Sequence, residues 1–232
     1  MTFGDELGHD IYRMFKCGWS ERRQTAADIA TRMQQLAERL GAIDPAFACI
    51  RPDPGARRFR RGDRGPILDM PRAELAGLIE RRGRFDPPRF PAPVSPQGYH
   101  TLYRNDLMGF DPSHLSITVS AGAYEYGANE NHVWVWPNTD HPLWRDPECG
   151  IQVLDAMVQT WEPEWAITYG SASEGEETKS RVRPWLAWTA KPLEPRPKPP
   201  YLRPYPYPFP LDDAGPAAEA RPWRGGELRI WP

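Results

Sequence analysis

The chain has 232 residues, 40% of them hydrophobic, with 10 Trp, 9 Tyr and 8 Phe, so it can bury a sizeable core. Its formal net charge is -2, but positions 105 to 178 hold thirteen acids against one base, Arg145, while both flanks are basic. That balance argues against general affinity for nucleic acid, and no run of about 18 apolar residues exists to make a spanning helix. The opening residues carry Asp5 and Glu6 where a signal peptide needs basic and then apolar positions, so the expected location is the cytoplasm. Cys17, Cys49 and Cys149 are widely spaced and odd in number, which suits free thiols rather than a disulfide framework or a zinc site.

In chain order, residues 11–17 read as a strand closed by Gly18. Thr25 and Asp28 form a capping-box pair, and Ala26, Ile29, Ala30, Met33, Leu36, Ala37 and Leu40 recur at three- and four-residue steps. The spacing predicts an amphipathic helix over 25–40, stopped by Gly41. Asp44-Pro45 then turns the chain into a short expected strand over 47–50. The stretch 51–64 holds six arginines and no apolar periodicity. It reads as a solvated basic loop; the competing reading is a nucleic-acid-binding module using Arg57, Arg58, Arg60 and Arg61. A second helix is expected over 71–82, with Pro71 at its first position, Leu75, Leu78 and Ile79 on one side and Gly83 as its stop. Prolines 87, 88, 91, 93 and 96 make a stiff connector.

Leu115, Ile117, Val119 and Ala121 alternate with Ser116, Thr118 and Ser120, the period of a half-buried strand. Residues 133–136, Val-Trp-Val-Trp, suit a central strand covered on both sides. Between these strands, 122–131 makes a hairpin with an acidic tip. Asp146 as cap and Pro147 at the first position start a third helix, with Val153, Leu154, Met157, Val158 and Trp161 facing inward, and Glu162-Pro163 ends it. Strands are expected over 165–170 and 185–190, joined by a polar loop that holds Glu174, Glu176 and Glu177. From 192 to 210 nine of nineteen residues are proline, several alternating with tyrosine. Such a polyproline-like segment suits aromatic grooves, and Tyr201, Tyr205, Tyr207 and Phe209 are best used wrapping its own domain. Residues 228–231 return as an edge strand.

The expected fold is α+β: a mostly antiparallel sheet of about five or six strands with two or three helices packed on it, plus a proline-rich C-terminal extension. The expected organisation is one domain over 1–191, with 192–232 packed against it.

Motifs for chemistry are missing. No phosphate loop, dinucleotide fingerprint, metalloprotease pair or nucleophile elbow is present, although residues 170–175 come near the last. Asp140, His141, Asp146 and Cys149 form the best ligand-like group, and their spacing matches no standard metal site. The histidines at 9, 100, 114, 132 and 141 are scattered. The residues therefore point to a protein with no catalytic residues, metal or cofactor; an uncharacterised hydrolase near Asp140 and His141 is the remaining alternative.

Certain phrases carry a resemblance. Gly18-Trp19-Ser20-Glu21-Arg22-Arg23 precedes Thr25-Ala26-Ala27-Asp28-Ile29-Ala30. Asp44-Pro45-Ala46-Phe47, Arg183-Pro184-Trp185-Leu186-Ala187-Trp188 and Gly225-Gly226-Glu227-Leu228-Arg229-Ile230 follow. Over roughly 11–232 the chain resembles the immunity protein 52 family of bacterial polymorphic-toxin systems. It departs from that pattern at Ile50, where a tryptophan is expected, and in the arginine-rich stretch 51–64. The resemblance implies a non-catalytic cytoplasmic protein that binds and neutralises a cognate toxin, often a nuclease delivered between competing bacteria. Its implied partner is that toxin, without direct nucleic-acid or membrane binding, and its implied state is a monomer or small homo-oligomer. Joined to the acidic middle, it points to Glu125, Glu130, Glu174, Glu176 and Glu177 as toxin contacts, with Tyr124, Tyr126 and Trp144 as aromatic anchors. Trp134, Trp136, Trp161, Trp185 and Trp188 are assigned to the core.

Overall fold

Strands that alternate apolar and polar residues must bury one face, and the cover for that face comes from amphipathic helices. The computed structural model describes residues 11–53, 65–84, 95–105, 114–124, 131–137, 147–172, 181–190 and 216–231. In chain order the strands are β1 (Ile11–Trp19), β2 (Arg51–Pro52), β3 (Tyr99–Arg104), β4 (Leu115–Ala121), β5 (Asn131–Pro137), β6 (Trp165–Ala172), β7 (Arg181–Thr189), β8 (Glu219–Trp223) and β9 (Gly226–Ile230). They form one sheet in the order β2-β3-β4-β5-β1-β6-β7-β9-β8, and every neighbouring pair is antiparallel. The helices are α1 (Ala26–Ile43), α2 (Arg72–Gly83) and α3 (Pro147–Trp161).

The class is the α+β fold with an antiparallel sheet that the residue pattern predicts, but nine strands exceed the five or six expected. The additions are β2, β3 and β8. In β3 the outward positions are His100, Leu102 and Arg104, so its alternation is weak, and β8 is an exposed strand holding Pro222. Proline and charge are what an outer strand carries to discourage further pairing. The C-terminal strand β9 is interior, between β7 and β8, rather than an edge. The β8–β9 turn is set by Arg224 and Gly225, with φ 50° and 73°. A two-residue hairpin loop needs that left-handed pair for its twist to match the strands.

Helix α1 begins as its sequence dictates. Thr25 Oγ1 accepts from the Asp28 N–H at 3.1 Å, and the Asp28 carboxylate accepts from the Thr25 N–H at 2.8 Å. Gly41 does not stop it. A Cβ there would sit 3.2 Å from Ala48 Cβ, so glycine serves a close approach, and the helix runs on to Ile43 with Asp44 as its C-cap. The expected strand over 47–50 is instead part of a 3-10 turn, Pro45–Cys49. Asp44 accepts from the Ala46 N–H at 2.8 Å, and Pro45 has no N–H to offer a strand ladder, so local capping wins over the apolar run. Gly18 likewise lies inside β1, and Pro71 is the N-cap of α2 rather than its first helical residue.

Helix α1 packs between α2 and α3, and this layer covers one face of the sheet. The core there joins Ile29, Met33, Leu36 and Leu40 of α1 to Phe15 and Cys17, Ile117 and Val119, Val133 and Val135, Leu186 and Leu228. Trp161 and Trp188 belong to this core, as expected. Trp134 and Trp136 do not. They alternate with Val133 and Val135, point to the opposite face and are half-buried, because the described helices cover the sheet on one side rather than two. The side chain of Trp185 lies outside the described residues.

Candidate partner-binding surface

Strand register decides which connections share a location. At one end of the sheet Trp19 lies opposite Asn131, and Gly18 opposite Trp165. At the other end Ile11 pairs Ala172, Ala172 pairs Arg181, Leu115 pairs Pro137 and Arg104 pairs Ser116. At a rise of about 3.3 Å per residue, the nine residues of β1 separate these ends by about 27 Å. The stretch 125–130 joins strands at the Trp19 end. The stretches 106–113, 138–146 and 173–180 join elements at the Ile11 end. The latter three hold Asp106, Asp111, Asp140, Asp146, Glu174, Glu176 and Glu177.

The expected contact set is thus split by the sheet. Glu125, Tyr126 and Glu130 belong to a connection at one end, while Trp144 and the trio Glu174, Glu176 and Glu177 belong to connections at the other. All seven lie outside the described residues. Tyr124 is described: it is half-buried, its N–H donates to the Pro96 carbonyl at 3.1 Å, and the Arg23 guanidinium lies 5.7 Å from its ring centroid. Of the ligand-like group, Cys149 is described, half-buried in α3 and packed against the core; Asp140, His141 and Asp146 are not described. Arg57, Arg58, Arg60 and Arg61 also lie outside the described residues. Beside that stretch, Asp53 pairs with Arg104 at 3.1 Å.

The Trp19 end is built around the carbonyls that α3 leaves unsatisfied. A helix C-terminus is the negative end of its dipole, and two guanidinium groups meet it. Arg22 donates to the Trp161 carbonyl at 2.7 Å and the Glu162 carbonyl at 2.8 Å, while Arg32 donates to the Thr160 carbonyl and to the Glu162 carboxylate at 3.0 Å. Burial, and then the charge of Arg32, lower the pKa of Arg22. The Trp19 and Trp161 rings stack at 5.2 Å, with Arg22 5.4 Å from the Trp19 ring. Glu164 accepts from both the N–H and the hydroxyl of Ser20. Asn131 donates to the Ser20 and Ala123 carbonyls, each at 2.9 Å, and accepts from the Ala123 N–H at 3.0 Å. The stretch Gly18 to Arg23 is therefore the tie between β1, α3 and the β4–β5 hairpin.

This geometry changes the meaning of the acidic middle. Glu162 and Glu164 serve the tie just described, and Asp155 holds Arg224 through contacts of 2.6 and 3.0 Å. These carboxylates fasten elements together.

The open face of the sheet has a different chemistry. His132, Trp134 and Trp136 stack along β5 with centroids 5.1 and 5.5 Å apart. Lys16, only 3% exposed, lies 5.0 Å from the Trp134 ring and 5.5 Å from the Trp165 ring. A cation over two indole faces, one of them buried, is a favourable arrangement. Across the strands, register aligns His100, Ser120 and His132, and His100 Nδ1 lies 2.8 Å from Ser120 Oγ. Burial lowers the His100 pKa, which favours the neutral imidazole. Sequence reading passed over this row because its members come from three strands; the alternation around Ser120 was the one available signal.

Among the described residues there is no cluster of three or more His, Cys, Asp or Glu arranged to hold a metal ion, and no helix long and apolar enough to cross a membrane. No protein-family profile matches the chain, and no curated protein matches it significantly.

Proposed function

We propose that this protein is an immunity-type inhibitor, which acts in the cytoplasm by binding a cognate antibacterial toxin and covering its active site. The observation that carries the reading is the convergence, at the Ile11 end of the sheet, of strand ends whose connections hold seven acids against two bases, Arg145 and Lys179. From β3 to β7 that end spans five strand spacings, about 24 Å, which is broad enough to face the cleft of a small enzyme. A nuclease must present cationic groups to phosphates. A field of opposite sign raises its encounter rate with the inhibitor and disfavours neutral or acidic partners. In this reading the helices and the Trp19 tie hold the sheet rigid, so that little rearrangement opposes binding. The resemblance to the immunity protein 52 family supports the same class.

The test is co-expression with a toxin encoded beside this chain, followed by association kinetics on the purified pair. Rescue of growth is expected. Reversing Glu174, Glu176 and Glu177 to lysine should slow association by about tenfold or more at low salt, whereas reversing Glu125 and Glu130 should slow it much less. An unchanged rate for the first variant would move the interface away from the Ile11 end, and failure to bind any neighbouring toxin would sink the reading.

A further inference from the structure

The β8–β9 hairpin joins the rest of the sheet along a short line. Strand β9 pairs with β7 over the four residues Leu186 to Thr189, and β8 lies outermost, with Glu219 to Pro222 exposed. Beyond that ladder, Leu228 is fully buried in the core beneath the helices, and the Trp188 indole N–H donates to the Trp223 carbonyl at 2.9 Å. At the turn, the Arg224 guanidinium meets both carboxylate oxygens of Asp155 on α3, at 2.6 and 3.0 Å. Two-point contact of this kind is the strong form of an ion pair.

Arg224 is an unusual residue for its place. Its φ of 50° is the first loop position of a two-residue hairpin, where asparagine, aspartate or glycine meets the left-handed backbone with least strain. Arginine brings no such advantage, so the side chain is what the position uses. The tip of the turn has no packing of its own, since a Cβ on Gly225 would meet no described atom within 4 Å. Asp155 is in turn placed by Gln159, whose amide donates to it, and the Arg39 guanidinium of α1 donates to Gln159 at 2.8 Å. The anchor is thus fixed on two helices independently of the hairpin.

We infer that the hairpin is a clasp, opening and closing as one unit on a sheet that stays folded, and that Arg224 is the positioning residue that holds it shut. Local opening belongs to elements with exposed backbone and few buried contacts, and β8 fits that description. Closing seats Leu228 and covers Trp188, both buried. The pair that secures it is half-exposed on the arginine side, so dissolved salt screens it and loosens the clasp. Thr189 pairs with both Trp165 and Glu227, which puts the turn at the Trp19 end of the sheet. The clasp therefore closes away from the surface assigned to the toxin and stands without that reading.

Hydrogen exchange followed by mass spectrometry on the full chain tests it. Arg224→Asn keeps a residue suited to the left-handed turn and removes the ion pair, while Asp155→Asn removes the partner's charge and leaves the turn untouched. In each variant the amides of 219–230 should exchange about three- to fivefold faster with β1 and β5 unchanged, and the double variant should go no further than either alone. The native chain at about 1 M sodium chloride should show the same local rise. Hairpin exchange that stays level or slows in either variant, or that rises in step with β1 and β5, would overturn the clasp. So would independent effects in the double variant, or a native hairpin indifferent to salt.

Discussion

The two faces of the sheet are made by the same strands and differ in almost everything else. On β1, Phe15 and Cys17 enter the helix-covered core while Met14 and Lys16 face the other way; on β5, Val133 and Val135 are buried among helices while His132, Trp134 and Trp136 stack on the open side. The covered face is apolar, aliphatic and aromatic together, and is closed by three helices. The open face is aromatic and polar, with a lysine held among indoles. The contrast teaches that aromatic content by itself does not identify a core. Tryptophan carries an apolar body and one donor, so it belongs as readily where a polar ligand meets a surface as in an interior.

The largest expected effect is a difference between these faces. Phe15→Ala empties a fully buried site and should cost about 3–5 kcal/mol, while Trp134→Ala, half-buried, should cost about 1–2 kcal/mol, both read by chemical unfolding. Equal losses would mean that the open face is a second core of the same rank. Next comes the tie that holds α3 to the covered face. Arg22→Ala leaves two helix-end carbonyls without their partner and should cost about 2–3 kcal/mol, and Arg22→Lys should recover less than half, because one ammonium does not span both acceptors. Full recovery by lysine would reduce the tie to a point charge.

The smallest effect belongs to the open face and depends on pH. Burial lowers the His100 imidazole below its ordinary 6.5, so the unfolded chain binds the proton more readily than the folded one. Stability should be level above pH 6.5 and fall as pH drops through it, and His100→Gln should remove part of that fall in thermal melts at pH 7.5 and 5.5. A decline identical in the variant would assign the effect to other groups.

How far the fold was legible depended on how local its determinants are. Helix α1 was legible because its cap and its apolar spacing both act within a few residues. Strand β4 was legible because Leu115, Ile117 and Val119 alternate with small hydroxylic residues. The 47–50 segment misled because an apolar run looks like a strand until the Asp44 and Pro45 chemistry beside it is weighed. Strand β3 went unseen because Tyr99 and Tyr103 are its buried positions, and tyrosine at such spacing carries little contrast with His100 and Arg104. The candidate contacts were visible as acids but not as groups: Glu130 and Glu174 look equivalent along the chain, and they flank strand ends on opposite sides of the sheet.

The order of residues by itself determined the class of fold, the three helices, the long strands and the partition of charge, since periodicity, capping and composition are written over short spans. Only the tertiary structure decided that β1 runs down the centre between β5 and β6, that the described helices all lie on one sheet face, and that the acid-rich connections at 106–113, 138–146 and 173–180 share an end. Those outcomes rest on pairing between strands far apart in the chain. Register there is chosen by which side chains the helical layer can bury, and no local pattern records that choice.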